Sequence, residues 1–169
     1  MSYSPVKVLQ DIDNSALKAL YNSVGWTGYT EDISVLRKAI EGSSHVVVVE
    51  EDGQIIGLAH ALSDDATMMY IQDILVHPTH QSKGIGKALV NALLERYKHV
   101  RQKVVLTDDR PQQMQFYAAL GFKNTRELVK TPLNAFVIIE GTTLANKVLS
   151  TRMKLCIPKT KTRPSKPCL

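Results

Sequence analysis

Apolar residues recur along this 169-residue chain with two periods, one typical of helices and one typical of strands. Ile85, Leu89 and Leu93 are three to four residues apart, which predicts an amphipathic helix. The β-branched run at residues 46–49 predicts a buried strand. Together, these patterns predict strands over residues 3–10, 45–50, 55–62, 68–76, 103–107, 122–127 and 135–139, and helices over residues 14–24, 31–40, 85–97 and 111–120.

Because the predicted strands and helices alternate, we expect an α/β protein built around a mixed sheet. A chain of this length can form one domain with a sizeable hydrophobic core. We predict that residues 1–140 form that domain. Residues 141–169 are predicted to be a flexible basic extension, because their end is rich in Pro, Lys and Thr.

A glycine-rich loop lies between the strand predicted over residues 68–76 and the helix that follows it. Its sequence is Gln81-Ser82-Lys83-Gly84-Ile85-Gly86. Glycine lets a backbone approach a ligand closely, and a helix N-terminus offers unpaired N–H groups, so the loop predicts a phosphate or pyrophosphate site. The spacing excludes a Walker loop, which needs four residues between its glycines. It also excludes a dinucleotide-binding fingerprint, because Leu89 stands where the third glycine would be.

Two motifs resemble those of the GCN5-related N-acetyltransferases (GNAT). The loop matches the family pattern Gln/Arg-x-x-Gly-x-Gly/Ala, and Phe116-Tyr117-Ala118-Ala119-Leu120-Gly121-Phe122 is similar to its Phe-Tyr-x-x-x-Gly-Phe segment. The resemblance covers roughly residues 3–139. It implies the GNAT fold, with a mixed, mostly antiparallel sheet of about six to seven strands, about four helices, and a cofactor held between splayed central parallel strands. It also implies acetyl-CoA as co-substrate and an amine as acceptor.

The resemblance also implies which residues bind acetyl-CoA. The loop is expected to hold the pyrophosphate, and the backbone at the strand end is expected to hold the acetyl and pantetheine arm. Family members often carry an asparagine before the fourth helix, where this chain has Asp109, either as a replacement or as a helix cap. The predicted contacts are Leu75, Val76, Gln81, Ser82, Lys83, Gly84, Ile85, Gly86, Lys87 and Asp109.

Acetyl transfer to an amine needs a proton acceptor, because only the neutral amine attacks, and a proton donor for the departing thiolate. Asp73 lies in the apolar strand just before its cofactor-binding end, and we predict it to be the base or the anchor of the amine. The alternative is a structural carboxylate paired with a neighbour such as His60 or a lysine. By resemblance, Tyr117 is the acid near the sulfur; the alternative is a half-buried helix tyrosine with a hydrated hydroxyl.

Trp26 and Tyr29 lie where the family builds its acceptor wall. The segment Val24-Gly25-Trp26, together with Asp73-Ile74-Leu75-Val76, resembles plant-type serotonin and arylalkylamine N-acetyltransferases and their bacterial relatives. The two aromatic side chains are therefore expected to stack on the acceptor, which is a small amine, a polyamine or a lysine. Alternatively, Trp26 packs the helices onto the sheet.

The alternative to an enzyme is a catalytically silent acyl-CoA-binding module that senses or regulates. Such a module has no need of both a base and an acid. The presence of Asp73 and Tyr117 therefore favours the enzyme.

The formal net charge of +5 comes from the C-terminal extension. Seven of the 21 Lys and Arg residues follow Glu140 and no acidic residue does, so the rest of the chain has 14 basic and 16 acidic residues. Nucleic acid is therefore not an expected partner. Both cysteines fall in the extension, no apolar segment reaches about 18 residues, and no Cys/His spacing indicates a metal site. We expect a cytoplasmic protein without a metal or a membrane partner; a homodimer is left open.

Overall fold

The computed structural model describes residues 7–8, 11–130 and 132–138. The chain divides into two units, residues 1–132 and residues 133–169. In the second unit, residues 133–138 are described and have neither helix nor strand, so the expectation of a strand beginning at residue 135 is wrong over that stretch. Residues 139–169, with both cysteines and the basic run, lie outside the described residues, and the domain boundary at residue 140 stays a prediction.

In the first unit, strands and helices alternate as the hydrophobic pattern predicts. The elements are β1 Lys7–Val8, α1 Asn14–Ser23, α2 Ile33–Glu41, β2 His45–Glu51, β3 Gln54–Ser63, β4 Met68–Val76, α3 Ile85–Arg96, β5 Gln102–Val105 and α4 Pro111–Ala119. Three short 3-10 turns occur at Thr27–Thr30, Pro78–His80 and Thr125–Glu127. Of the strand predicted over residues 3–10, only Lys7–Val8 is described as strand; residues 3–6 and 9–10 lie outside the described residues.

The strands form one mixed sheet in the order β1-β2-β3-β4-β5. The first three pairings are antiparallel and the last, between β4 and β5, is parallel. Five strands are present in the part of the chain that is described, fewer than the six to seven expected. The strand predicted over residues 122–127 is wrong because the Asn124 side chain accepts a hydrogen bond from the Arg126 N–H and begins a 3-10 turn.

The sheet separates two hydrophobic clusters, because alternate residues of a strand point to opposite faces. On one face, β2 residues Val47 and Val49 pack with α3. On the other, Val46 and Val48 pack with α1 and α2. Gly57 in β3 allows α3 to lie close to the sheet, since a Cβ there would be 2.8 Å from Ile85 Cγ2.

Helices α1 and α2 begin at aspartate caps. The Asp13 carboxylate accepts from the N–H groups of Ser15 and Ala16, and Asp32 accepts from Ser34 N–H. These bonds satisfy N–H groups that a helix start leaves unpaired. None of the helices in the described residues is long and apolar enough to cross a membrane.

Candidate active site

A β-bulge in β4 decides which face of the sheet Asp73 occupies. His60 pairs with Asp73 and Ala61 pairs with Ile71, so Gln72 is an extra residue on β4. The extra residue shifts the alternation of side chains by one position. Ile71 therefore packs in the cluster with α3, whereas Asp73 faces α1 and is 4% exposed.

The bulge coincides with an opening in the sheet. The parallel pairing of β4 with β5 ends at Ile71 and Val105, whereas β4 continues to Val76. His77 N–H donates to Ile56 O of β3. Because the backbone groups of successive residues in a strand point to opposite neighbours, those of Leu75 point toward β3 and the N–H of Val76 points toward the opening. This edge agrees with the splayed parallel strands that the resemblance implies.

The glycine loop joins this edge to the start of α3. Ser82 and Gly84 have φ values of 61° and 84°, a left-handed conformation that only glycine adopts without cost. Gly84 is the N-cap of α3, and no side chain caps that helix. Its first N–H groups therefore remain available for an anion.

The other predicted loop contacts differ in how they are placed. The Gln81 side-chain amide donates to Val76 O at 3.1 Å, tying the loop to β4. Ser82, Lys83 and Lys87 are exposed, whereas the Ile85 side chain is buried. Gly86 does not have positive φ, and a Cβ there would lie 3.6 Å from Phe116, an ordinary contact.

The Asp73 carboxylate is held by two side chains. Its Oδ2 accepts a hydrogen bond from Tyr21 OH at 2.8 Å and lies 3.0 Å from His60 Nε2. The His60 Nδ1 is 2.7 Å from Ser43 Oγ. The pairing with His60 is one that the sequence left open, whereas Tyr21 and Ser43 were not anticipated, because nothing in their local sequence marks them. Burial, followed by the nearby Asp73 charge, raises the pKa of the Tyr21 phenol, which stays a hydrogen-bond donor.

The Asp73 carboxylate also affects the pKa values of two further tyrosines. Burial raises the pKa of Tyr29 and of Tyr70, and the Asp73 charge adds to both effects; a hydrogen bond with Gln72 opposes the rise at Tyr29. Neutral phenols therefore surround Asp73 at neutral pH.

Tyr117 lies on α4, with its ring centroid 5.1 Å from Phe116 and 5.7 Å from Phe122. Burial raises the pKa of its phenol, and a hydrogen bond with Thr107 partly offsets the rise. Because the phenol remains protonated at neutral pH, it can donate a proton.

A pocket of about 340 Å³ opens beside Asp73. It is lined by residues of α2 and the turn that follows it, of β3 and β4, and of the 3-10 turn after α1: Tyr29, Leu36, Lys38, Ala39, Gly42, Ser43, His60, Leu62, Gln72 and Asp73. Trp26 does not line it, but its ring stacks on Tyr29 at 5.6 Å between centroids and lies 6.2 Å from Tyr21. Trp26 is 38% exposed, so it both packs on neighbours and faces solvent.

Asp109 does not cap α4, because Arg110 is the N-cap and no side chain bonds the helix start. Its carboxylate pairs with Arg126 at 3.2 Å, and both side chains are exposed. No group of three or more His, Cys, Asp or Glu residues that could hold a metal ion occurs in the described residues.

A sequence model of the acetyltransferase (GNAT) domain matches residues 9–131, more than half of the chain. The chain belongs to the GNAT family. It is 26% identical over 125 residues to the uncharacterized N-acetyltransferase ycf52 of Pyropia yezoensis, covering 72% of this chain and 71% of that protein. It is 32% identical over 133 residues to the histone acetyltransferase TAP1 of Glycine max, covering 71% of this chain but only 56% of that protein.

Solved structures agree with this family assignment. A GNAT-family acetyltransferase of Streptococcus pneumoniae TIGR4 superposes with a TM-score of 0.72 at 22% identity, over 83% of this chain and all of that one. The structure of AAC(6')-Iy in complex with a bisubstrate analogue of CoA superposes with a TM-score of 0.61 at 14% identity, over 82% of this chain and 98% of that one. At these identities the likeness shows the fold. This GNAT protein is thus an N-acetyltransferase of a family that uses acetyl-CoA.

Proposed function

We propose that this N-acetyltransferase transfers an acetyl group directly from acetyl-CoA to a small primary amine. The observation that carries the proposal is the position of Asp73. Its buried carboxylate lies at the bulge where β5 separates from β4, and it also lines the pocket of about 340 Å³. Asp73 thus belongs to the strand that borders the opening for a cofactor and also lines a space for an acceptor.

The glycine loop supports acetyl-CoA as the donor. The uncapped start of α3 offers N–H groups to the pyrophosphate, and exposed Lys83 and Lys87 add positive charge there. The Val76 N–H on the open edge of β4 suits the pantetheine arm. Leu75, whose backbone faces β3, would act mainly by packing under that edge.

In this proposal Asp73 receives the proton that the amine loses, or anchors the amine while water receives it. Tyr117 gives a proton to the departing thiolate, which its raised pKa allows at neutral pH. The acceptor amine enters the pocket beside Tyr29, with Trp26 supporting that ring. The pocket volume suits a small amine, and polyamines and lysine side chains are the competing acceptors.

An acetyl-CoA consumption screen across aryl amines, polyamines, aminoglycosides and peptides tests the activity. With the best acceptor, Asp73→Asn should lower single-turnover transfer by about 10²–10⁴-fold and leave acetyl-CoA affinity nearly unchanged. Tyr117→Phe should also lower single-turnover transfer and leave acetyl-CoA affinity nearly unchanged. The size of the loss depends on how well water replaces the phenol as proton donor. Asp52→Asn, in the exposed turn after β2, is the matched control. Wild-type transfer by both site variants would refute the assigned roles.

The second candidate is a catalytically silent acyl-CoA-binding module. The specific observation in its favour is that Tyr21 and His60 already occupy Asp73 Oδ2, as they would in a purely structural role. Calorimetry that detects acetyl-CoA binding, combined with no turnover of any amine in the screen, would support the module over the enzyme.

A further inference from the structure

A line of four polar side chains crosses the layer between α1, α2 and the sheet. It runs from Tyr21 OH to Asp73 Oδ2 at 2.8 Å, then to His60 Nε2 at 3.0 Å, and from His60 Nδ1 to Ser43 Oγ at 2.7 Å. Tyr21, His60 and Asp73 are almost fully buried, whereas Ser43 is half-buried and lines the pocket. The buried pair is therefore connected to the pocket by a hydroxyl.

The contact between His60 and Asp73 requires one proton. Tyr21 stays protonated and donates to Oδ2, so it does not accept a proton from that oxygen. Without a proton between Nε2 and Oδ2, two lone pairs would face each other in a buried site, which is costly. Either His60 donates to an ionised Asp73, or a protonated Asp73 donates to His60.

Ser43 has one hydroxyl proton and two neighbours that can accept it. Its Oγ lies 2.8 Å from Ala39 O and 2.7 Å from His60 Nδ1. When Ser43 donates to Nδ1, the pair holds a single proton, the one between Nε2 and Oδ2. When Ser43 turns to Ala39 O, Nδ1 must carry a proton to make its bond. Rotation of this hydroxyl alone therefore lets the pair hold one more proton without moving a heavy atom.

We propose that His60 and Asp73 accept the amine proton as one unit, with the Ser43 hydroxyl as its switch and its outlet to the pocket. His60 holds the extra proton, while Asp73 and Ser43 bond to its two ring nitrogens. The amine nitrogen bonds to the acetyl carbon as the carbon–sulfur bond breaks, and Tyr117 gives its proton to the departing sulfur. The Ser43 hydroxyl takes the amine proton in the pocket as it gives its own proton to Nδ1, and it then turns to Ala39 O. Afterwards the hydroxyl turns back to the pocket, loses its proton to water and takes back the Nδ1 proton.

The inference rests on the proposed function. The titratable groups around the pair are the phenols of Tyr21, Tyr29 and Tyr70, all with raised pKa values, and Lys38 at the pocket. The phenols stay neutral below about pH 10. A protonation change in the pair at lower pH is therefore distinguishable from theirs.

The test compares Ser43→Ala with Ser43→Thr, which keeps a hydroxyl, and with Ser44→Ala, which removes the adjacent hydroxyl bonded to Ser63. ¹⁵N NMR of the His60 ring follows protonation without any need for activity. Ser43→Ala deprives the charged ring of an acceptor, and bonds to charged groups are stronger, so the titration midpoint should fall by about one pH unit. Ser43→Thr and Ser44→Ala should match the wild type.

In single-turnover transfer, the acid limb of the pH profile should move by the same amount in Ser43→Ala, with acetyl-CoA affinity unchanged. His60→Gln, which cannot take up a proton, should lose that limb. An unchanged midpoint and profile in Ser43→Ala would overturn the inference, as would a His60 ring that does not titrate in the wild type. If no amine is acetylated, the proposed function fails, while the NMR titration still decides the proton switch. If His60→Gln does not fold, Ser43→Ala alone decides.

Discussion

Replacing Gly84 by alanine should weaken acetyl-CoA binding, whereas replacing Gly86 by alanine should not. Gly84 has φ of 84°, a left-handed conformation that costs a residue with a Cβ about 1–2 kcal/mol. The variant either keeps the loop and loses that stability, or relaxes the loop and misdirects its N–H groups. A lost hydrogen bond to a charged phosphate costs about 1.5–3 kcal/mol, roughly a ten- to hundredfold loss in affinity.

Gly86→Ala is the matched control. Gly86 lies inside α3 without positive φ, and its new Cβ would meet Phe116 and Val76 at 3.6 and 3.7 Å, which are ordinary contacts. Alanine is favoured over glycine in a helix by about 0.5–1 kcal/mol, so the unfolding temperature should rise by roughly 1–4 °C.

Isothermal calorimetry with acetyl-CoA and thermal unfolding of both variants make the comparison. Wild-type affinity together with an unchanged unfolding temperature in Gly84→Ala would refute the reasoning. A larger affinity loss in Gly86→Ala than in Gly84→Ala would refute it equally.

Three further predictions concern stability. Gly57→Ala should destabilise the fold by about 1–3 kcal/mol in urea unfolding, because its Cβ would lie 2.8 Å from Ile85 Cγ2 and 3.2 Å from Leu89 Cδ1; an unchanged midpoint would show that α3 moves away freely. Tyr21→Phe should cost about 1–3 kcal/mol at pH 7, because it removes a donor to the buried Asp73, and an equal stability would contradict that bond. Bonds from the Met68 N–H, the Thr67 side chain and other neighbours lower the pKa of Asp64 below 3.8. Its stabilisation is therefore present above the unfolded-state pKa and lost as pH falls, so the difference in unfolding temperature between wild type and Asp64→Asn should shrink from pH 5 to pH 2.

The local parts of the site were predictable from sequence, because each depends on neighbouring residues. The strand, the loop and the helix that begins after Gly84 follow one another along the chain, and the hydrophobic pattern with two glycines predicts all three. The Asp13 and Asp32 caps likewise depend on residues only two or three positions away. The 3-10 turn after Asn124 was missed because residues 123–127 are all polar and give no apolar pattern that could test the predicted strand, and one side-chain bond decides against it.

Contacts distant in sequence were not predictable. Tyr21 reaches Asp73 across 52 positions, and no spacing rule relates α1 to β4. The bulge at Gln72 was equally hidden, because nothing in the sequence Met68–Val76 marks an extra residue. Only the pairing with β3 shows that Ile71 and Asp73, two positions apart, face different sides.

Because of the bulge at Gln72, β4 can lose one residue without the exchange of faces that the same deletion causes in a regular strand. In an ordinary strand, losing one residue exchanges the inward and outward side chains of everything beyond it. Deleting Gln72 would make Ile71 and Asp73 neighbours, as their partners Ala61 and His60 already are on β3. Every side chain after Ile71 would then keep its present side of the sheet. A strand without Gln72 would place Asp73 on the same face, so the bulge serves to accommodate this extra residue without turning the carboxylate away from α1. What it supplies is length at the point where the neighbouring strand departs, together with the Gln72 side chain at the pocket wall.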